Sequence, residues 1–164
     1  MKTWFMAAVA SLLMVGAAEA STERAESAYP GIEHITTQES VNEVEALLRQ
    51  ALKSRELTLF TIIDHTQNAV DAGHELPPTL TVIFGNPKVG TPLMQCQGSA
   101  ALDLPQKMVI RKDGDVTRIE WNDPAYLAER HGLQGCDLPL DKMAEMLQEV
   151  AREAAGKPVE PEEK

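Results

Sequence analysis

The dipeptide Asp113-Gly114 constrains the fold of this 164-residue chain more than any other feature. Asp-Gly between apolar segments is the strongest short-range signal for a tight β-hairpin, since both residues tolerate the left-handed backbone of a two-residue turn. The flanking segments, Leu104 to Arg111 and Asp115 to Trp121, are therefore predicted to be two antiparallel strands.

Other elements follow from spacing. Ser40 and Glu43 form a capping-box signature, and apolar residues then recur at helical spacing up to Leu52. Strands are predicted at residues 32–36, 57–63 and 79–84, and further helices at 66–72, 124–131 and 140–155. Residues 85–92 carry four turn formers and are predicted to be a loop, with one helical turn at 93–96. This order predicts an α+β domain with a largely antiparallel sheet and helices packed on one face.

The two ends predict processing and location. Residues 1–20 combine Lys2, an apolar stretch and the small-residue motif Ala18-Glu19-Ala20, which is typical of a signal peptide cleaved after Ala20. We expect a periplasmic or secreted protein with no membrane segment after cleavage. An exposed leader at 21–30, a domain at 31–155 and a disordered acidic tail at 156–164 complete the predicted organisation.

The charge of the chain argues against nucleic acid as a partner. The formal net charge is -10, and cleavage removes one base and one acid, so this value is unchanged in the mature chain. Phosphate backbones repel such a protein, and the sequence has no basic stripe with interleaved aromatic residues.

Cys96 and Cys136 are the two cysteines of the chain. Export favours a disulfide between them. A redox or metal pair and two inert thiols are the alternatives. None of the familiar metal-binding spacings of histidine and cysteine occurs, so no metal site and no cofactor is predicted.

The segment from Gly85 to Thr91 has the glycines and the hydroxyl residue of a phosphate-binding loop, but Lys88 lies inside the loop instead of after its second glycine. Asn86, Lys88 and Thr91 are predicted to bind a small anion or polar ligand. A purely structural turn is the alternative.

Two histidines are candidate acid-base groups. His65 follows Asp64 at the predicted end of a buried strand, and His131 lies in the last turn of a predicted helix. The alternatives are structural: Asp64 caps a helix that begins at His65, and His131 interacts with the helix dipole. Asp103 and Asp123 could meet across the hairpin, although capping and turn roles also explain both.

The ordered segments of the chain resemble the domain of unknown function 302 (DUF302) family, chiefly through Phe-Gly-Asn-Pro-Lys at 84–88 and Gly-Thr-Pro-Leu-Met at 90–94. The resemblance covers about residues 31–155. It implies a compact β-α-β(4)-α arrangement that is often dimeric, and it implies no activity. It also implies that the recurring motif residues cluster in space; these are Asp64, His65, Asn86, Lys88, Thr91, Asp103, Asp123, Tyr126 and His131.

The sequence is compatible with three functions. The favoured one is a small-ligand or anion-binding module, in which Asn86, Lys88 and Thr91 hold the ligand and Asp64 and His65 border the same cleft. Asp103, Asp123 and Tyr126 are further candidate ligand-binding residues of this module. An enzyme that uses His65 or His131 as its acid-base group is the second, and the sequence leans against it. A non-catalytic structural or interaction protein, held as a homodimer, is the third.

Overall fold

The computed structural model describes residues 29–158. The predicted signal peptide, most of the predicted leader and the last six residues of the predicted tail lie outside this range. No helix within 29–158 has the length and apolarity that crossing a membrane requires.

Five antiparallel strands form one sheet, in the order β1-β5-β4-β3-β2. Their bounds are β1 Ile32–Thr37, β2 Thr58–Asp64, β3 Thr79–Gly85, β4 Gln106–Asp113 and β5 Val116–Asn122. The hairpin is confirmed, but its two turn residues are Gly114 and Asp115, because Asp113 is the last residue of β4 and pairs with Val116; Gly114 has a φ of 58°. β1 and β2 are the two edge strands.

Five α-helices connect the strands: α1 Val41–Ser54, α2 His65–Asp71, α3 Pro87–Cys96, α4 Pro124–His131 and α5 Leu140–Ala154. A short 3₁₀ helix, Gly98–Leu102, follows α3. The α+β class predicted from the sequence is confirmed. The capping box at Ser40 is also confirmed, because the Ser40 side chain accepts from Glu43 N and the Glu43 carboxylate accepts from Ser40 N.

One prediction within the fold was wrong. Residues 87–92 belong to helix α3, which begins six residues before the single turn predicted at Leu93. The Asn86 side chain accepts a hydrogen bond from Lys88 N at 3.0 Å, and Pro87 occupies the first turn, where a missing N–H costs nothing. These two residues therefore start a helix where the glycines and prolines alone indicated a loop.

The main hydrophobic core lies between one face of the sheet and the helices α1 and α5. Side chains alternate along β3, so that Leu80, Val82 and Phe84 are buried while their neighbours are partly exposed. We call this group the sheet core; its buried members are Val41, Val44, Leu48, Ala51, Leu52, Leu80, Val82, Phe84, Met108, Ile110, Ile119, Trp121, Leu147, Val150, Ala151, Ala154 and Ala155.

A second, smaller cluster joins α3, the 3₁₀ helix, α4 and the start of α5. Its buried members are Leu93, Ala100, Ala128, Leu133 and Met143, and we call it the α4 cluster. The two clusters share helix α5, because Met143 belongs to the α4 cluster and Leu147, one turn later, belongs to the sheet core.

An ion-pair network joins the end of α1 to α5. The guanidinium of Arg55 contacts both carboxylate oxygens of Glu153 at 2.8 Å and Glu149 Oε2 at 3.1 Å. These hydrogen bonds lower the pKa of Glu153 below its ordinary value. A lowered carboxyl pKa stabilises the folded state above the unfolded pKa, and the contribution is lost as the pH falls.

The variant Glu153→Gln should therefore be less stable than the wild type at pH 7, by about 0.2–1 kcal/mol, because the pair is partly exposed. The difference should shrink as the pH falls below about 4. Urea unfolding at pH 7 and pH 3 measures it. Glu45→Gln, which removes the more exposed pair with Arg49, is the control and should lose less. A Glu153→Gln deficit that is the same at both pH values would contradict the prediction.

Candidate functional site

A cavity of about 560 Å³ lies between the sheet core and the α4 cluster. Phe84, Leu57 and Met146 line it from the side of the sheet core, and Met143, Val89 and Leu104 line it from the side of the α4 cluster. The cavity therefore occupies the gap between two separately packed apolar groups, at the end of the sheet where β3 ends at Gly85 and β4 begins at Gln106.

Two exposed apolar side chains belong to the cavity wall. Phe60 is 49% exposed and Met94 is 37% exposed, and both side chains line the cavity. Phe60 is the extra residue of a β-bulge, since Leu59 pairs with Phe84 and Thr61 with Ile83. Bulges redirect side chains, and here the redirected ring contributes to the cavity wall. Exposed apolar groups around a concave site are typical of small-molecule binding sites.

Gln106 is a residue of the cavity wall with a buried polar side chain. Within residues 29–158 this side chain has no hydrogen-bond partner, and no other wall residue in that range has a buried polar group in this state. The residue is 6% exposed, and neither Oε1 nor Nε2 makes a hydrogen bond. Its side chain lies on the same covered face of the sheet as Met108 and Ile110, because residues two apart in a strand point to the same side. A buried amide without partners is unfavourable, so this position calls for a ligand group or water that both donates and accepts.

The structure brings only part of the predicted ligand site to this cavity. Asn86 and Thr91 line the cavity. Lys88 is not one of the wall residues within 29–158. The side-chain oxygen of Asn86 already accepts a hydrogen bond from Lys88 N, as the N-cap of α3. The helical course of residues 87–96 explains the difference, because consecutive residues of a helix point in different directions.

Asp64 and His65 lie at the other end of the sheet, so the expectation of one shared cleft was wrong. Asp64 pairs with Leu80, while Thr58, at the opposite end of β2, pairs with Gly85 beside the cavity. A seven-residue strand separates the two ends by about 20 Å. Asp64 caps α2 through Gln67 N at 2.9 Å, and His65 Nε2 contacts Thr81 Oγ1 at 2.8 Å.

His131 and Asp103 meet in a third place. His131 Nε2 contacts Asp103 Oδ2 at 2.6 Å, and Nδ1 contacts Ser99 Oγ at 3.0 Å. A carboxylate only accepts, so Nε2 donates its proton to Asp103, and Nδ1 and the Ser99 hydroxyl share the second hydrogen bond. Arg130 adds a contact with Asp103 at 3.2 Å.

This serine-histidine-aspartate set has the residue types of a hydrolytic triad. None of the three residues lines the cavity, however, and the His131 side chain is only 4% exposed. The contacts join the 3₁₀ helix to the last turn of α4. The geometry therefore favours a structural role, which agrees with the non-catalytic alternative for His131.

Asp123 and Tyr126 also serve the fold. The Asp123 side chain accepts from Ala125 N at 2.9 Å and so caps α4. The ring of Tyr126 covers Gly31 so closely that a Cβ atom on Gly31 would clash with it. Gly31 also has a φ of 75°, so both the close approach and the backbone require glycine there.

Cys96 and Cys136 are joined in a disulfide, with their Cα atoms 6.3 Å apart. The bond connects the last residue of α3 to the segment that precedes α5. Both helices form walls of the cavity, so the disulfide restrains their separation. It closes a loop across 40 positions, which in the chain-entropy model stabilises the fold by about 4 kcal/mol.

Within residues 29–158, no three His, Cys, Asp or Glu side chains are grouped as metal ligands would be. The polar residues of the cavity wall are Arg55, Asn86, Thr91, Gln106 and Lys142. Sequence reasoning missed Phe60, Gln106 and Lys142. The sequence did contain one signal for Gln106: alternation along the first hairpin strand places this polar residue on the face that points into the core.

Comparison with known proteins agrees with the resemblance seen in the sequence. The profile of the domain of unknown function DUF302 matches residues 33–154. The crystal structure of an uncharacterized conserved DUF302 protein from Bacillus stearothermophilus superposes with a TM-score of 0.58 at 16% identity, over 78% of this chain and 95% of that one. At this identity the likeness concerns the fold.

Relatives named as fluoride-specific ion channels also match. FluC 1 of Brucella suis biovar 1 is 38% identical over 128 residues, which are 77% of this chain and 50% of the relative. FluC 2 of Brucella melitensis biotype 1 is 38% identical over 128 residues, which are 47% of its length. The chain thus spans about half the length of these relatives.

The cost of the buried Gln106 amide can be measured in the ligand-free protein. Gln106→Met keeps an unbranched side chain and removes the polar atoms, so the free energy of unfolding should rise by about 1–3 kcal/mol. Urea unfolding measures the change. Gln67→Met is the control; its amide is exposed and donates to Asp71 Oδ1 at 2.8 Å, so no gain is expected. A loss of stability in Gln106→Met would show that the amide is satisfied.

Proposed function

For this chain, which belongs to the DUF302 family, we propose that the function is to bind a small, mostly apolar ligand in the cavity between the sheet core and the α4 cluster. The observation that carries the proposal is Gln106, a residue of the cavity wall whose side-chain amide is buried with both polar atoms unpaired. A ligand that offers one donor and one acceptor removes this penalty on binding, and this gives the site a means of recognition.

The size and the walls of the cavity support the same proposal. Ligand pockets commonly enclose about 300–1,000 Å³, and their walls are mainly apolar with a few convergent polar groups. Here the volume is about 560 Å³, and the apolar side chains come from both clusters. The ligand class shifts accordingly from the small polar anion expected around Lys88 to a molecule with an apolar body.

The enzyme alternative has less support. A general acid or base must come within hydrogen-bond reach of the reacting group. His65 contacts Thr81 at the far end of the sheet, and both ring nitrogens of His131 contact protein groups. Neither histidine lines the cavity.

Gly90 offers a direct way to fill the cavity. It lines the wall within α3, and a Cβ atom added there meets only Leu104 Cδ1, at 4.0 Å. Gly90→Leu should abolish binding of the neutral fluorophore N-phenyl-1-naphthylamine. It should preserve or raise stability, because replacing a helical glycine adds about 1 kcal/mol.

Fluorescence titration and thermal unfolding of the same samples test this prediction. Gly135→Leu is the control, since a Cβ atom there meets nothing within 4 Å and the residue is no part of the cavity wall. Equal fluorophore binding by the wild type and a folded Gly90→Leu variant would refute the proposed site.

The fluoride-channel relatives favour a second candidate, an interaction function. Because this chain matches half the length of each, we infer that the domain acts beside a fluoride channel. Deleting the gene should then lower fluoride tolerance in the organism of origin. Growth curves in fluoride, with wild-type and Gly90→Leu chains as complements, measure the effect and its dependence on the cavity. Unchanged tolerance in the deletion strain would exclude this candidate.

We further propose that the protein is exported and works in the periplasm or outside the cell. The Ala18-Glu19-Ala20 motif supports export, and the disulfide between Cys96 and Cys136 suits an oxidising compartment. A homodimer, which the family resemblance implies, remains a proposal, for which light scattering across concentration is the measurement.

A further inference from the structure

We propose that the ligand of this cavity is an amphipathic organic acid, with an apolar body in the cavity and an anionic group beside Lys142. The inference rests on the proposed binding function and names the ligand class for the same site. It depends on three observations: the sign of the charges at the cavity, the pairing of those charges, and the depth at which each polar group lies.

The charges that line the cavity are opposite to those of the chain as a whole. The chain contains 25 acidic residues and 15 basic ones. Arg55 and Lys142 are nevertheless the two charged residues of the described wall, and no carboxylate belongs to it. Asp141 and Glu145 are close to Lys142 in sequence, but they are not wall residues. The charged side chains of the wall itself are therefore both cationic, whereas the carboxylates that pair with Arg55 lie outside the wall.

The two cations differ in their partners. The guanidinium of Arg55 is held by Glu153 and Glu149, at 2.8 and 3.1 Å, so its charge is compensated within the protein. Lys142 has no carboxylate within 4.0 Å in the part of the chain that the structure describes. Its ammonium group is the charge left for a ligand.

The polar groups are arranged by depth. Gln106 is buried, while Lys142 is exposed on the first turn of α5. A ligand that satisfies both has a hydrogen-bonding group inside, an apolar body against Phe84, Met143 and Met146, and its anion at the mouth, where it stays hydrated. A full charge is costly to bury, so an anion is better placed at the mouth than beside Gln106.

A matched pair of fluorophores tests the inference. N-phenyl-1-naphthylamine is neutral, and 1-anilinonaphthalene-8-sulfonate has the same ring system with one added sulfonate. Lys142→Gln should raise the dissociation constant of the sulfonate about two- to fivefold at low salt, which corresponds to an exposed charge pair. It should leave binding of the neutral fluorophore unchanged. Added salt should reduce the difference.

Lys88→Gln is the matched control. It removes an exposed lysine near the cavity that is no part of its described wall, so it should leave the binding of both fluorophores unchanged. If Lys142→Gln leaves sulfonate binding unchanged while the neutral fluorophore still binds, the ligand class is wrong and the binding site stands. An equal effect of Lys88→Gln would likewise overturn the role of Lys142. If neither fluorophore binds the wild type, both the binding function and the ligand class fail.

Discussion

The structure depends on how its single sheet is covered. Helices α1 and α5 pack with one face of five antiparallel strands, and this packing buries the sheet core. Near Gly85 and Gln106, the adjoining helix α3 belongs largely to the separate α4 cluster. The two clusters meet along α5 without filling the space between them. The cavity, the exposed Phe60 and the unpaired Gln106 amide all lie at this junction.

Much of the fold could be predicted because its signals are local. Asp113-Gly114 predicted the hairpin, Ser40 with Glu43 predicted the start of α1, and Asp123 with Pro124 predicted the start of α4. The same type of signal, a capping residue followed by proline, occurs at Asn86-Pro87 and starts α3. It was outweighed there by Gly85, Gly90 and Pro92, although Pro92 is accommodated inside the helix.

The site was harder to predict because its parts are distant in sequence. Asp64 follows β2 and Asn86 follows β3, and residues that follow neighbouring antiparallel strands lie at opposite ends of the sheet. The sequence showed both motifs but not the separation between them. Gln106 shows a similar limit: alternation places it inward, but only the three-dimensional packing shows that no protein group reaches its amide.

The family motif therefore has two different uses in this chain. Asp64, Asp123, Asp103 and His131 cap helices or join elements, and they serve the fold. Asn86 and Thr91 line the cavity, together with residues that the motif did not indicate. The disulfide restrains two of the cavity walls, α3 and the approach to α5. The two proposals, export and ligand binding, share this disulfide, because disulfides persist in oxidising compartments and this one restrains two walls of the proposed site.

The central claim is that a ligand enters the space between the two clusters, and the methionines can test it most directly. Met94, Met143 and Met146 line the cavity, whereas Met108 lies fully buried in the sheet core. In protein labelled with ¹³C at the methionine methyl groups, titration with N-phenyl-1-naphthylamine should shift the signals of the three lining methionines and leave that of Met108 in place. Equal shifts at all four methyl groups, or no shift at the lining three, would contradict this account.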